Sequence, residues 1–266
     1  YRHDSEGSIR FFVLKALTRG VVIDSVRRKD LWVVAILGLL ILLSASLLGF
    51  FGLDGLQSFV KDLATSVLGI FTTIIAVLVS GRMMPDEIKN RTLYPLLARP
   101  ISRWELLVGK WLGAVAVTWI SFGLLLVTTS LALALFRVPF EPVMLQYILL
   151  KMIGLAMLCS VTLLMSLLMT PAGACVMSLI LAAGTGMIVR AMTMAFEFAS
   201  PPVQFLFKVL NGLLPQYGLF DVGDRAANSG WGPAPLWVVG ALLGYAAVYS
   251  LAMLVLSWAR FRRQAI

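Results

Sequence analysis

Few side chains in this sequence combine type and spacing in a way that could do chemistry. The one histidine, His3, has no metal-ligating neighbour, and there is neither an H-E-x-x-H pair nor a Ser, His and Asp constellation. An intramembrane enzyme would need convergent polar residues of that kind, so no catalytic residue is expected. Gly109-Lys110 is followed by Trp111 and lacks the upstream glycine of a phosphate-binding loop. Methionine is abundant, with Met152, Met157, Met165 and Met169 along one apolar run and Met177, Met187, Met192 and Met194 along the next. Thioethers suit Cu(I), but they are also ordinary filler of apolar helices. Filler is the expectation, with no metal and no cofactor on this chain. Charges inside or beside apolar runs remain. Lys151, Arg190 and Glu197 lie toward the expected outer ends of two runs. The two cations can snorkel to headgroups, pair with Glu197, or line an outer vestibule that touches an anionic group of a cargo.

The elements that must position these groups follow from composition. Of 266 residues, 60% are hydrophobic and 13% charged, and the mean hydropathy is +0.93. An average soluble domain is roughly 45–50% apolar and 25% charged, so this is an integral membrane protein. Six runs are long enough to cross roughly 30 Å of hydrocarbon, over 31–51, 63–80, 112–136, 145–169, 173–196 and 236–258. The expected fold is a single all-α transmembrane domain over 1–266, a polytopic bundle of six transmembrane helices. Too little chain is left for a soluble catalytic domain. Cys159 and Cys175 both fall in apolar runs and imply no disulfide framework.

The net charge of +9 is read as topology, and no nucleic-acid partner is expected. Outside 1–30, 81–110 and 259–266, the basic residues are Lys61, Arg137, Lys151, Arg190, Lys208 and Arg225. Asp54, Asp62, Glu141, Glu197, Asp221 and Asp224 cancel them. The excess of Lys and Arg thus sits on one side, which places both termini in the cytoplasm.

Before the first run, Ile9, Phe12, Val13, Ala16 and Leu17 recur at helical spacing opposite Arg10, Lys15 and Arg19, and Arg27-Arg28-Lys29 follow. This pattern reads as an interfacial helix anchored to anionic membrane lipids, or as a cytosolic helix packed on protein. Between the fifth and sixth runs, the outer segment 197–235 contains an apolar stretch too short to span. Pro201-Pro202 and Pro215 bracket it, which suits a re-entrant or outer interfacial helix. A polar tail with Asp221, Asp224 and Arg225 leads back to the last run.

The cytoplasmic connection 81–111 is the most informative stretch. Pro85, Asp86 and Glu87 suit the first turn of a helix, and Ile88, Leu93, Leu96 and Leu97 supply apolar contacts for a short amphipathic coupling helix. Pro100 interrupts it, and Ser102 with Glu105 forms a capping-box pattern that would start the third span.

In their order, these residues resemble the permease subunits of type-2 ATP-binding-cassette (ABC) transporters. The resemblance is carried by Glu87, Thr92-Leu93, Leu96-Leu97, Pro100-Ile101-Ser102-Arg103 and Gly109-Lys110, with Arg91 departing from a frequent glycine. It extends in outline to the whole chain: an elbow helix, six spans, the short Thr170-Pro171-Ala172 loop and short outer helices. The resemblance implies residence in the plasma membrane, the inner membrane of a bacterium. It also implies a core of two permease chains, identical or paralogous, engaged by cytosolic ABC ATPase subunits through the elbow helix and the cytoplasmic loops. Mg-ATP would be bound and hydrolysed on those partners. Glu87 would then be a joint at the inner gate or an ATPase contact, with Lys110 closing the coupling segment.

Two functional classes follow. One is an exporter permease that moves an amphipathic or lipid-like substrate. The other is an ABC-type membrane anchor that transmits force to an extracytoplasmic partner without passing a cargo.

Overall fold

The computed structural model describes residues 56–89, 103–135, 142–196, 200–223 and 234–263, besides 18, 20, 36 and 232. Apart from those isolated positions, the expected elbow helix, with Phe12, Lys15, Arg19, Arg27 and Arg28, and the first expected span lie outside the described residues. Those described form only helices: α1 (Leu56–Lys89), α2 (Arg103–Leu135), α3 (Pro142–Leu168), α4 (Pro171–Ala195), α5 (Pro201–Leu213), a 3-10 helix (Tyr217–Phe220) and α6 (Leu236–Arg263). Of these, α1, α2, α3, α4 and α6 are long and apolar enough to cross a membrane.

Many hydroxyls inside these helices are satisfied by the helix that carries them, although Ser178 and Thr185 of α4 are buried without a partner among the described residues. The hydroxyls of Thr72, Ser80, Thr118, Ser121, Thr129 and Thr162 each donate to the carbonyl one turn back, at 2.7–2.9 Å. Helix starts are set by local chemistry. At α4, Thr170 takes the N-cap with Pro171 behind it, and its hydroxyl accepts from the Gly173 N–H at 3.4 Å. Ser200 followed by Pro201 and Pro202 opens α5 in the same backbone geometry.

The hub is α3. It is buried around most of its circumference and packs against α1, α2, α4 and α6. Leu68, Ala76, Phe122, Tyr147 and Leu158 form the main core with it. Two indoles pin α2 onto its backbone: Trp111 Nε1 donates to the Ala156 carbonyl at 3.2 Å and Trp119 Nε1 to that of Met152 at 3.0 Å. At the expected cytoplasmic end, Met84, Leu106, Leu107, Leu163, Leu254 and Phe261 from α1, α2, α3 and α6 form a second cluster.

Helix ends depart from the runs read in the sequence. No new helix begins at Pro85; α1 continues through it to Lys89. A proline inside a helix gives up one backbone hydrogen bond and crowds the residue four positions back, and here that residue is Gly81. Likewise α2 starts at Arg103, ahead of the apolar run at 112. With 34 and 33 residues, α1 and α2 are each about 50 Å long, so they extend beyond roughly 30 Å of hydrocarbon.

Gly81 is also where α1 meets α4. A Cβ there would lie 2.6 Å from Cys175 Sγ. Gly81→Ala should therefore lower stability by about 1–3 kcal/mol, the usual penalty for overpacking. Cys175→Ala in the same chain should recover most of that loss. Thermal unfolding of the two single variants and the double variant in detergent checks this, and simple additivity would show that the contact does not limit the helix approach.

Candidate functional site

The expected outer half of the bundle is organised around a charge placed deep in a helix. Lys151 lies nine residues into α3, about 14 Å below its start, and is buried. Its Nζ donates to Asp221 Oδ2 at 2.8 Å, and the Lys151 side chain is 10% exposed against 50% for that of Asp221. Two glycines shape the pair. A Cβ on Gly69 of α1 would come 3.0 Å from Lys151 Nζ, so the ammonium lies against bare helix backbone. The Gly223 N–H donates to Asp221 Oδ1 at 3.3 Å, and a Cβ on Gly223 would crowd that same oxygen.

Asp221 reaches this depth because the segment after α5 turns back among the spans. Phe220 is buried over Gly154 of α3, where a Cβ would approach Phe220 Cβ to 2.9 Å. The Phe220 ring stacks on Tyr245 of α6 with centroids 6.3 Å apart. The Tyr245 hydroxyl accepts from the Gln216 N–H at 3.3 Å and donates to the Leu214 carbonyl at 3.4 Å. Nearby, Tyr147 donates to the Thr65 carbonyl at 3.0 Å, tying α3 to α1 just above the ion pair. At the start of α6, Gln146 donates to the Ala234 carbonyl and accepts from the Ala234 N–H, at 2.9 and 2.8 Å.

A cavity of about 580 Å³ opens beside the pair among α1, α3, α4 and the 3-10 helix. Arg190 lines it from α4 together with Lys151 and Asp221. The structure thus brings Lys151 and Arg190 to one cavity, while Glu197 lies outside the described residues. Asp221, the partner Lys151 takes, is an acid that the sequence offers only as part of a polar tail. Its proximity to Asp224 and its distance of 70 residues from Lys151 hide the pairing.

The coupling segment is described at its two ends. Glu87 falls in the last turns of α1, with its side chain outside the described structure. Thr92, Leu93, Leu96, Leu97, Pro100 and Ser102 lie outside the described residues as well. Arg103 opens α2, and its Nη1 donates to the Phe261 and Arg262 carbonyls at 3.2 Å each. Its guanidinium also stands 5.7 Å from the centre of the Phe261 ring. A cation on terminal carbonyls complements the end of α6. Trp104 packs edge-on against Trp258 at 6.5 Å and reinforces the joint. Lys110 is buried one turn past Leu106 and Leu107. Among the described residues no group of His, Cys, Asp and Glu is placed to hold a metal ion.

The described residues define a multi-pass helical membrane protein with an ion pair and a cavity set within its bundle. The chain belongs to the family described as a protein of unknown function (DUF2705), matched over residues 31–266. No curated protein matches it.

The ion pair is asymmetric, which gives it a test. Asp221→Asn strands the buried ammonium, whereas Lys151→Met leaves behind a half-exposed carboxylate that water can reach. Asp221→Asn should cost about 2 kcal/mol, below the roughly 3–5 kcal/mol of a fully buried pair because of that exposure. Lys151→Met should cost less. Thermal unfolding of both variants ranks them, and the reverse order would mean that the lysine does not depend on this partner.

Proposed function

We propose that this chain is the membrane-spanning permease subunit of an ABC exporter, coupling ATP hydrolysis on separate cytosolic subunits to movement of an amphipathic substrate. The observation that carries the reading is the ordered set Glu87, Thr92-Leu93, Leu96-Leu97, Pro100 to Arg103 and Gly109-Lys110. It joins two helices that each exceed the thickness of a bilayer. Such a connection gives a partner rigid handles on the bundle.

Three further features support the reading. Arg103, within the ordered set, also holds the carbonyls at the end of α6, so a load on the connection reaches the last span directly. The outer cavity has the size of a small-ligand site, which favours a cargo over pure force transmission. The distribution of Lys and Arg favours six spans with cytoplasmic termini in a bacterial inner membrane, with the basic N-terminal helix on the inner surface. In this reading a second permease chain completes the core, and Mg-ATP binds only to the ATPase partners.

Gentle detergent extraction from the native membrane, with mass spectrometry and an ATPase assay on the copurified complex, tests the assignment. An ABC-type ATPase in roughly equal amount is the expected partner. Glu87→Ala should reduce its turnover in the complex about tenfold or more, the scale of losing one charge-assisted contact. Lys208→Ala on the outer helix α5 should leave turnover unchanged. A chain that copurifies with no nucleotide-binding partner would end the permease reading.

A further inference from the structure

The lining of the outer cavity changes character with depth. Toward the outer end stand Arg190, about 8 Å below the end of α4, and the Lys151–Asp221 pair. Leu158 and Leu179 close the deep end, each about 24 Å from the outer end of its helix. Among the described residues that line it, two cations stand against one carboxylate, so this lining is net positive, and Arg190 has no ion-pair partner among the described residues. Ser66 and Ile70 on α1 and Ala183 and Arg190 on α4 line the cavity and are also exposed. The mouth therefore opens sideways between α1 and α4. At that depth a membrane-embedded bundle meets acyl chains as well as headgroups.

We infer that this cavity binds an amphiphile with an anionic headgroup, its chain directed to the leucine-lined floor and its headgroup held by Arg190 beside Lys151. A polar, net-positive outer end above an apolar floor matches one end of such a molecule to each end of the cavity. A guanidinium at the mouth offers paired donors to a carboxylate or a phosphate. Lys151 is already neutralised by Asp221, which leaves Arg190 as the cation available to the headgroup. The inference deepens the permease reading and rests on it for one point, that the bound amphiphile is cargo; binding itself belongs to this chain.

The purified chain in a neutral detergent, titrated with stearate, palmitoyl lysophosphatidylglycerol or palmitoyl lysophosphatidylcholine, tests the site by native mass spectrometry. One anionic molecule per chain should be retained about tenfold or more tightly than the zwitterionic one, as expected for a charge-assisted contact. Arg190→Gln should abolish that preference and Arg190→Lys keep most of it. Because Arg190 is exposed, its replacement leaves packing undisturbed, and Ala183→Trp at the mouth should block all three probes. Stronger binding of stearate assigns the site to free fatty acids, and stronger binding of lysophosphatidylglycerol assigns it to anionic phospholipids; both support the inference. Equal retention of the three probes, or a preference unchanged by Arg190→Gln, overturns it. Anion-selective binding together with a copurified ATPase that ignores the amphiphile would leave the site standing and remove its role as a cargo site.

Discussion

An ammonium group buried about 14 Å from the start of a membrane-length helix is costly to hold without a partner of opposite charge. Here the anion is supplied from outside the spans. Asp221 can reach Lys151 only if the segment after α5 turns back into the bundle, and the surrounding contacts serve that return. Phe220 occupies the space left by Gly154 and stacks on Tyr245. Tyr245 in turn satisfies the backbone at Leu214 and Gln216. Gln146 clasps Ala234 at both its N–H and its carbonyl. The same return places Gly218 and Phe220 in the cavity wall, so the segment that brings Asp221 to Lys151 also bounds the space beside the pair.

A second constraint acts on α3. A helix surrounded by four others must let them approach while leaving none of its own polar groups unpaired. Hydroxyls folded back onto the helix, as at Ser160, Thr162 and Ser166, keep its surface effectively apolar. Its free carbonyl lone pairs at Met152 and Ala156 receive the indole donors of α2. By contrast α4 and α6 keep broad apolar faces open, with Met187, Met194, Trp237 and Val248 among the most exposed. Those faces suit lipid or another chain, whereas α3 is committed to the interior.

Much of this architecture is legible in the sequence for simple reasons. Long apolar runs can do little but span, and Thr170-Pro171 and Ser200-Pro201 carry their own start signals. The helix ends are less legible. Hydropathy marks where a membrane stops, while helical hydrogen bonding continues past it, as α1 does through Pro85. The ion pair was hidden for another reason. Two residues of opposite charge 70 positions apart give no local signal, and Asp221 differs in no visible way from Asp224. Gly69 and Gly154 carried no signal either, because close approach is a property of the neighbour that fills the space. Arg103 is visible as part of an ordered motif, but its grip on the end of α6 is not, since carbonyls at a helix terminus look the same in any sequence.

Continuity of α1 joins the two ends of the molecule. The helix lines the cavity at Ser66, Gly69 and Ile70 and runs unbroken to Lys89. Between these regions it lies close against α4 at Gly81, where a Cβ would come 2.6 Å from Cys175 Sγ. That contact lies about 12 Å from the inner end of α1 and about 18 Å from Gly69. If α1 tilts about it as a rod, a displacement imposed at the inner end is enlarged about 1.5-fold at the cavity wall and reversed in direction. A partner that draws the inner end toward α4 would then move Ser66 and Ile70 away from Ala183 and Arg190, widening the mouth. The opposite stroke would narrow it. In the permease reading, a tilt of α1 about this approach would set access to the cavity, and a bulkier residue at Gly81 would shift the point about which the helix turns.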